Sequence, residues 1–144
     1  MTEPTLESII VERVMPHSSA KIWRALTETT LLEQWLMHND FQAVLGQQFE
    51  FRRPSMPGWN GITKCQVLSL EPPERLVYTW NPAGEDAING LKTLVIWTLT
   101  PVEGGTLLRM EHSGFTLART NAQKGTLHGW TGFFKSLEQL LTTL

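Results

Sequence analysis

Few side chains in this sequence could carry acid–base, nucleophilic or metal chemistry: four histidines, His17, His38, His112 and His128, and one cysteine, Cys65. His38 and Asp40 stand two apart, as metal ligands can, but no second ligand pair accompanies them and no metal site is expected. Cys65 lies inside a strand pattern with no nearby histidine to act as its base, so a nucleophile is not expected there. A single cysteine also excludes an intramolecular disulfide and any multi-cysteine zinc site. Glu111 and His112 are adjacent, but neighbouring residues of a strand face opposite ways and cannot act as a dyad. The phosphate loop GxxxxGK[ST], the dinucleotide motif GxGxxG, the nucleophile elbow GxSxG and the zincin motif HExxH are all missing. No cofactor is expected and no catalytic residue is assigned. What remains is a set of polar groups suited to orienting a ligand, Tyr78, His112, His128 and Gln66, within an unusually aromatic sequence holding six tryptophans and one tyrosine.

Those groups need a scaffold, and the hydrophobic periodicity supplies one. Leu6 to Met15 is a β-branched run closed by Pro16, the pattern of a strand. Ser18 or Ser19 caps a short helix with the apolar face Ile22, Trp23, Ala25 and Leu26. A second short helix starts at Thr30, which has capping-box spacing to Glu33 and is followed by Leu31, Leu32, Trp35 and Leu36. From Phe41 the period becomes two. Strands are predicted around Phe49 to Phe51, over Ile62 to Leu70, around Leu76 to Trp80, over Leu91 to Thr100 and over Thr106 to Ser113, separated by short turn-forming segments. Short connections make successive strands antiparallel neighbours. The expected architecture is α+β: a curved six-stranded antiparallel sheet, two short helices after the first strand, and one long C-terminal helix covering a sheet face. In that helix Leu127, Trp130, Phe133, Phe134, Leu137, Leu140, Leu141 and Leu144 form one wide stripe, opposite Lys124, Lys135 and Glu138. A separate strip contains Gly125, Gly129, Gly132 and Ser136. Because glycine inside a helix costs about 0.5–1 kcal/mol relative to alanine, Gly129 and Gly132 suggest either close backbone packing or space kept beside the helix for a ligand.

A sheet bent around one helix leaves a gap that must be filled by large side chains or kept as a pocket. The candidates to line it are Trp35, Phe51, Trp59, Tyr78, Trp80, Trp97, Met110, His112, Gly129, Trp130 and Phe134. Such residues serve equally as core filling or as the wall of an apolar site carrying a few polar groups.

The composition narrows the classes. At 144 residues, 41% hydrophobic and 18% charged, the chain fits one globular domain, residues 1–144. Lys plus Arg number 12 against 14 acids, a formal charge of −2, which argues against nucleic-acid or anionic-membrane binding. The two short helices could suggest a DNA-reading helix pair. However, Lys21 and Arg24 are the only cations between residues 14 and 51, so no basic recognition helix follows. No apolar run reaches a membrane-spanning length, and no export pattern is seen at the N-terminus, so the expected location is cytoplasmic. Nothing in the pattern specifies an oligomer.

In order along the chain stand Ala20-Lys21-Ile22-Trp23-Arg24-Ala25-Leu26-Thr27, Leu32-Glu33-Gln34-Trp35, Glu71-Pro72-Pro73-Glu74-Arg75-Leu76-Val77-Tyr78-Thr79-Trp80, Gly104-Gly105-Thr106, Glu111-His112-Ser113-Gly114-Phe115 and His128-Gly129-Trp130. This set resembles the START-like, birch-pollen-allergen-type superfamily (SRPBCC), and within it the activator of heat-shock protein 90 ATPase homologue-like family. The resemblance implies a helix-grip fold over an apolar cavity that takes a lipid-, sterol- or polyketide-like molecule. Two alternatives come with it: a co-chaperone-like interaction domain with a chaperone partner, or a cyclase or hydrolase using the same cavity. The first alternative would use an outward apolar patch around Leu94, Ile96 and Leu107. The second needs His112 or His128 within hydrogen-bond reach of Tyr78 or a water. Burying an apolar ligand yields about 25 cal/mol per Å², so no charged anchor is needed for binding.

Overall fold

A computed structural model describes residues 6–52, 61–82, 93–116 and 120–144. For residues 6, 7, 82, 115, 116 and 120–128 it describes the backbone alone. Strand β1 spans Leu6–Met15 and ends before Pro16. Helix α1, Ser19–Thr27, is capped by Ser18, whose hydroxyl accepts the Lys21 N–H at 3.2 Å. Helix α2 covers Thr29–Trp35 and starts ahead of the expected Thr30 cap. The capping box does not form because α1 runs directly into α2. The Glu28 N–H closes α1 on the Arg24 carbonyl, while the Glu28 carbonyl accepts the Leu31 and Leu32 N–H groups.

The remaining strands are β2 (His38–Asn39), β3 (Gln48–Arg52), β4 (Ile62–Glu71), β5 (Arg75–Pro82), β6 (Thr93–Val102) and β7 (Gly105–Thr116), followed by the 22-residue helix α3 (Thr120–Leu141). All pairings are antiparallel, in the order β1-β7-β6-β5-β4-β3-β2. The sheet therefore has seven strands, not six. The additional one, β2, is two residues long and too short to show a period. It is held by Asn39, whose side chain donates to the Met37 carbonyl and accepts the Phe41 N–H, each at 3.0 Å. Strand β6 continues past Thr100 to Val102, which pairs with Gly105 across the tight turn. Gly105 is needed there, because a Cβ would stand 1.9 Å from the Met15 carbonyl oxygen.

The strongly curled sheet grips α3, which packs on β1, β7, α1 and α2. Period-two burial is clearest in β6, where Thr93, Val95, Trp97 and Leu99 face in. On α3 the buried positions are Trp130, Phe134, Leu137 and Leu141, with Phe133 and Leu140 half-buried. Leu144, expected in the same stripe, is exposed because the helix stops at Leu141. No described atom lies within 4 Å of a Cβ built at Gly129 or Gly132, so these glycines do not serve close packing among the described residues. The side chains at 120–128, Leu127 and Lys124 among them, lie outside the described residues.

Candidate functional site

The inner face of the sheet, the end of α2 and the facing side of α3 bring together nine of the eleven candidate lining residues. Trp35, Phe51, Tyr78, Trp80, Trp97, Met110, His112, Trp130 and Phe134 are all buried. Their rings form one connected cluster. Trp97 lies edge-on to Trp35 at 5.8 Å and to Trp130 at 5.6 Å, and stacks on Phe134 at 5.8 Å. Trp80 contacts Phe51 and Trp130, each at 5.3 Å, and His112 at 5.6 Å. Offset and edge-on pairs of this kind add about 0.5–1.5 kcal/mol each beyond their buried area. Trp35 also ties α2 to α1, its indole N–H donating to the Ala25 carbonyl at 2.8 Å. Gly129 sits on α3 next to Trp130. Trp59 and the His128 side chain lie outside the described residues.

The apolar cluster contains two polar devices. The first is a relay with a fixed direction. The Thr93 hydroxyl donates to the Trp80 carbonyl at 2.7 Å, so it accepts the His112 Nε2–H at 2.6 Å. His112 Nδ1 then carries no hydrogen and accepts the Trp130 indole N–H at 2.9 Å. The network assigns the tautomer. Burial drives the imidazole pKa down from 6.5 to about 3, because the charged form would lose its hydration there. With Nδ1 accepting from Trp130 and Nε2 bonded to Thr93, His112 is built as a neutral structural group.

The second device is Tyr78. Its phenol oxygen accepts the Trp97 indole N–H at 2.9 Å. Among the described residues no acceptor takes its own O–H, although the side chain is fully buried. Burial raises its pKa further above the ordinary range, so the phenol stays protonated. A buried donor without a partner costs about 1–3 kcal/mol, so among the described residues this O–H is a polar valence inside the cluster open to an incoming acceptor.

Gln66 does not join this group. It faces the outer side of the sheet, where its side chain donates to the Gly46 carbonyl at 3.2 Å. His38 pairs with Glu33 at 2.9 Å, while Asp40 accepts the Glu50 N–H at 2.7 Å, so the two do not converge on one point. Cys65 is buried, and burial together with the charges of Asp40 and Glu50 pushes its thiol pKa up, away from thiolate chemistry. Leu94, Ile96 and Leu107 lie half-buried on the outer face. Thr93, essential to the relay, was not among the candidate residues. It stands directly across from Trp80 in the β5–β6 register, and that register is set by pairing rather than by any local pattern. Two open concavities among the described residues lie elsewhere. One of about 530 Å³ is on the outer face of β3–β5, and one of about 400 Å³ lies between Pro16–Ser19 and the β6–β7 turn. Between the sheet and α3, the described side chains pack against one another.

Among solved structures, protein MLL2253 from Mesorhizobium loti is 44% identical, with a TM-score of 0.87, covering 95% of this chain and 98% of that one. Bacillus halodurans protein BH1534 matches at 24% identity and TM-score 0.78, covering 97% of this chain and 99% of that one. DynU16, a protein in the dynemicin biosynthetic locus, matches at 24% identity and TM-score 0.77, covering 94% of this chain and 47% of that one. At these lower identities the likeness concerns the fold alone. No curated protein matches the chain closely enough to count as a relative. The family described as activator of Hsp90 ATPase homolog 1-like protein (AHSA1) matches over residues 16–142. With nearly the whole domain matched in sequence, and a fold shared end to end with MLL2253, the chain belongs to the AHSA1-like family.

Proposed function

We propose that this domain binds a small, largely apolar molecule between the sheet and α3. The supporting observation is the Tyr78 hydroxyl, a fully buried donor without an acceptor among the described residues, set in a cluster of aromatic rings. A protein interior normally satisfies such a group. A ligand carrying one carbonyl, ether or phenol oxygen on an apolar frame would satisfy it. Entry requires the rings around Trp80, which keeps 8% of its surface exposed, to turn aside. The apolar contacts then replace ring–ring contacts, and the new hydrogen bond to Tyr78 sets the ligand's orientation. The AHSA1-like family fits a ligand-binding helix-grip fold and supports this reading.

The cyclase or hydrolase alternative loses support from the relay, since neither ring nitrogen of His112 is turned toward a substrate and the imidazole is held neutral without titrating near pH 7. The chaperone-partner alternative draws no support from the half-buried Leu94, Ile96 and Leu107.

The test is a tryptophan-fluorescence titration with palmitate, with 1-naphthol and with progesterone. A saturable 1:1 change with at least one of them, weakened about tenfold in Tyr78→Phe, is expected. That factor corresponds to about 1.4 kcal/mol for one lost hydrogen bond. Linear, non-saturating responses to all three ligands would overturn the proposal.

A further inference from the structure

The outer face of the sheet carries a groove that neither the core nor the proposed apolar site uses. It has a volume of about 530 Å³ and is lined chiefly by Asp40, Gln48, Glu50, Lys64, Thr79 and Asn81. Strand pairing arranges its charges in one row. Asp40 lies beside Glu50, Glu50 is opposite Lys64, and Lys64 is opposite Asn81. Just beyond this row the register continues from Lys64–Asn81 to Val67–Tyr78, with the Gln66 N–H turned to the Thr79 hydroxyl at 2.8 Å, and it shifts between Val67 and Ser69.

Three groups in this row keep an open valence. The Asn81 side-chain oxygen is buried without a hydrogen-bond partner among the described residues. The Lys64 ammonium has no carboxylate within ion-pair range among the described residues, because Glu50, its cross-strand neighbour, is taken by Arg52. Asp40 uses one oxygen on the Glu50 N–H and meets no cation among the described residues. The row thus presents a cation, a buried neutral acceptor beside it, and an anion further along.

The complement is a molecule with an anion for Lys64, an N–H donor beside it for Asn81, and a second cation for Asp40. Lys64 and Asn81 are direct cross-strand partners on backbones about 4.8 Å apart, so their side chains can meet a carboxylate and an ammonium borne on one carbon. Asp40, at the end of β2, lies two strand spacings from Lys64, about 10 Å between backbones, a span that a long cationic side chain can cover. We propose that this groove is a binding site for a free basic α-amino acid of the arginine or lysine type. The carboxylate lies on Lys64, the α-ammonium donates to Asn81 Oδ1, and the side-chain cation pairs with Asp40. A residue within a peptide lacks the paired α-ammonium and carboxylate, so the site selects the free zwitterion.

Isothermal titration of the full chain with L-arginine, glycine and N-acetyl-arginine amide tests this. L-Arginine should bind 1:1, glycine at least tenfold more weakly, and the capped amide not measurably. Lys64→Met and Asp40→Asn should each weaken L-arginine at least tenfold. Both are mild changes, since Lys64 is exposed and asparagine keeps the acceptor oxygen that Asp40 offers to Glu50. Palmitate or 1-naphthol titrations of the same variants should be unchanged, which separates this site from the one at Tyr78. No saturable heat with L-arginine, or binding that is indifferent to both substitutions, would overturn the proposal.

Discussion

Replacing His112 with glutamine removes the only imidazole that the fold holds neutral through deep burial among the described side chains. The folded-state pKa is depressed from 6.5 to about 3. The unfolded chain therefore takes up a proton at this position near pH 6.5, whereas the native state does so only near pH 3. The stability tied to this group is fully present above pH 6.5 and is lost as the pH falls from there toward 3. At pH 5 the medium is about 1.5 units below the unfolded value. At about 1.36 kcal/mol per unit, the native state is disfavoured there by about 2 kcal/mol relative to pH 8. Urea unfolding followed by tryptophan fluorescence at pH 8 and pH 5 measures this directly. The native sequence should lose about 2 kcal/mol more than His112→Gln between the two conditions. Comparing the pH difference within each protein cancels the general cost of the substitution, and it cancels His17, whose pKa is also lowered. Equal losses in the two proteins, within about 0.5 kcal/mol, would refute the neutral relay from Trp130 through His112 to Thr93.

Gly132→Ala should stabilise the domain by about 0.5–1 kcal/mol in the same unfolding assay, because the site is helical, exposed and has no described atom near the new methyl group; destabilisation would show that the glycine serves a contact. Ser18→Ala should cost about 1 kcal/mol by removing the cap on the Lys21 N–H. Native Cys65 should react with a thiol reagent at neutral pH orders of magnitude more slowly than the urea-unfolded chain, and equal rates would contradict its burial and raised pKa. Phe134→Ala should cost about 3–5 kcal/mol, as its ring is fully buried against Trp97.

Much of the fold was legible because it depends on local periodicity. The β-branched run Leu6 to Met15, the alternating strands and the Trp130–Phe134–Leu137–Leu141 stripe each state which face turns inward. Short features were not legible. A two-residue strand such as β2 has no period, and the α2 cap moved because Glu28 belongs to two helices at once. At the site, the identities of the buried aromatics could be read, since large apolar side chains on inward positions have few other places to go. Their hydrogen-bond partners could not. Thr93 meets His112 and Trp80 only through cross-strand register, and Tyr78 meets Trp97 from neighbouring strands far apart in sequence. Gln66 was misplaced for the same kind of reason: its strand position is half-buried, and only pairing shows that it faces outward toward Gly46. The outer groove is wholly a product of register, with its charged row assembled from four separate strands or their ends.

The most direct test of ligand binding between sheet and helix is a two-dimensional ¹⁵N–¹H spectrum of the tryptophan indole N–H groups, recorded while palmitate, 1-naphthol or progesterone is added to saturation. The Trp97 and Trp130 resonances, whose N–H groups donate to Tyr78 and His112, should shift with a ligand that saturates. Trp23, partly exposed where it packs at the margin of the core, should shift less. Indole resonances of Trp97 and Trp130 that do not move at saturating concentrations of any of the three would contradict binding in that interior.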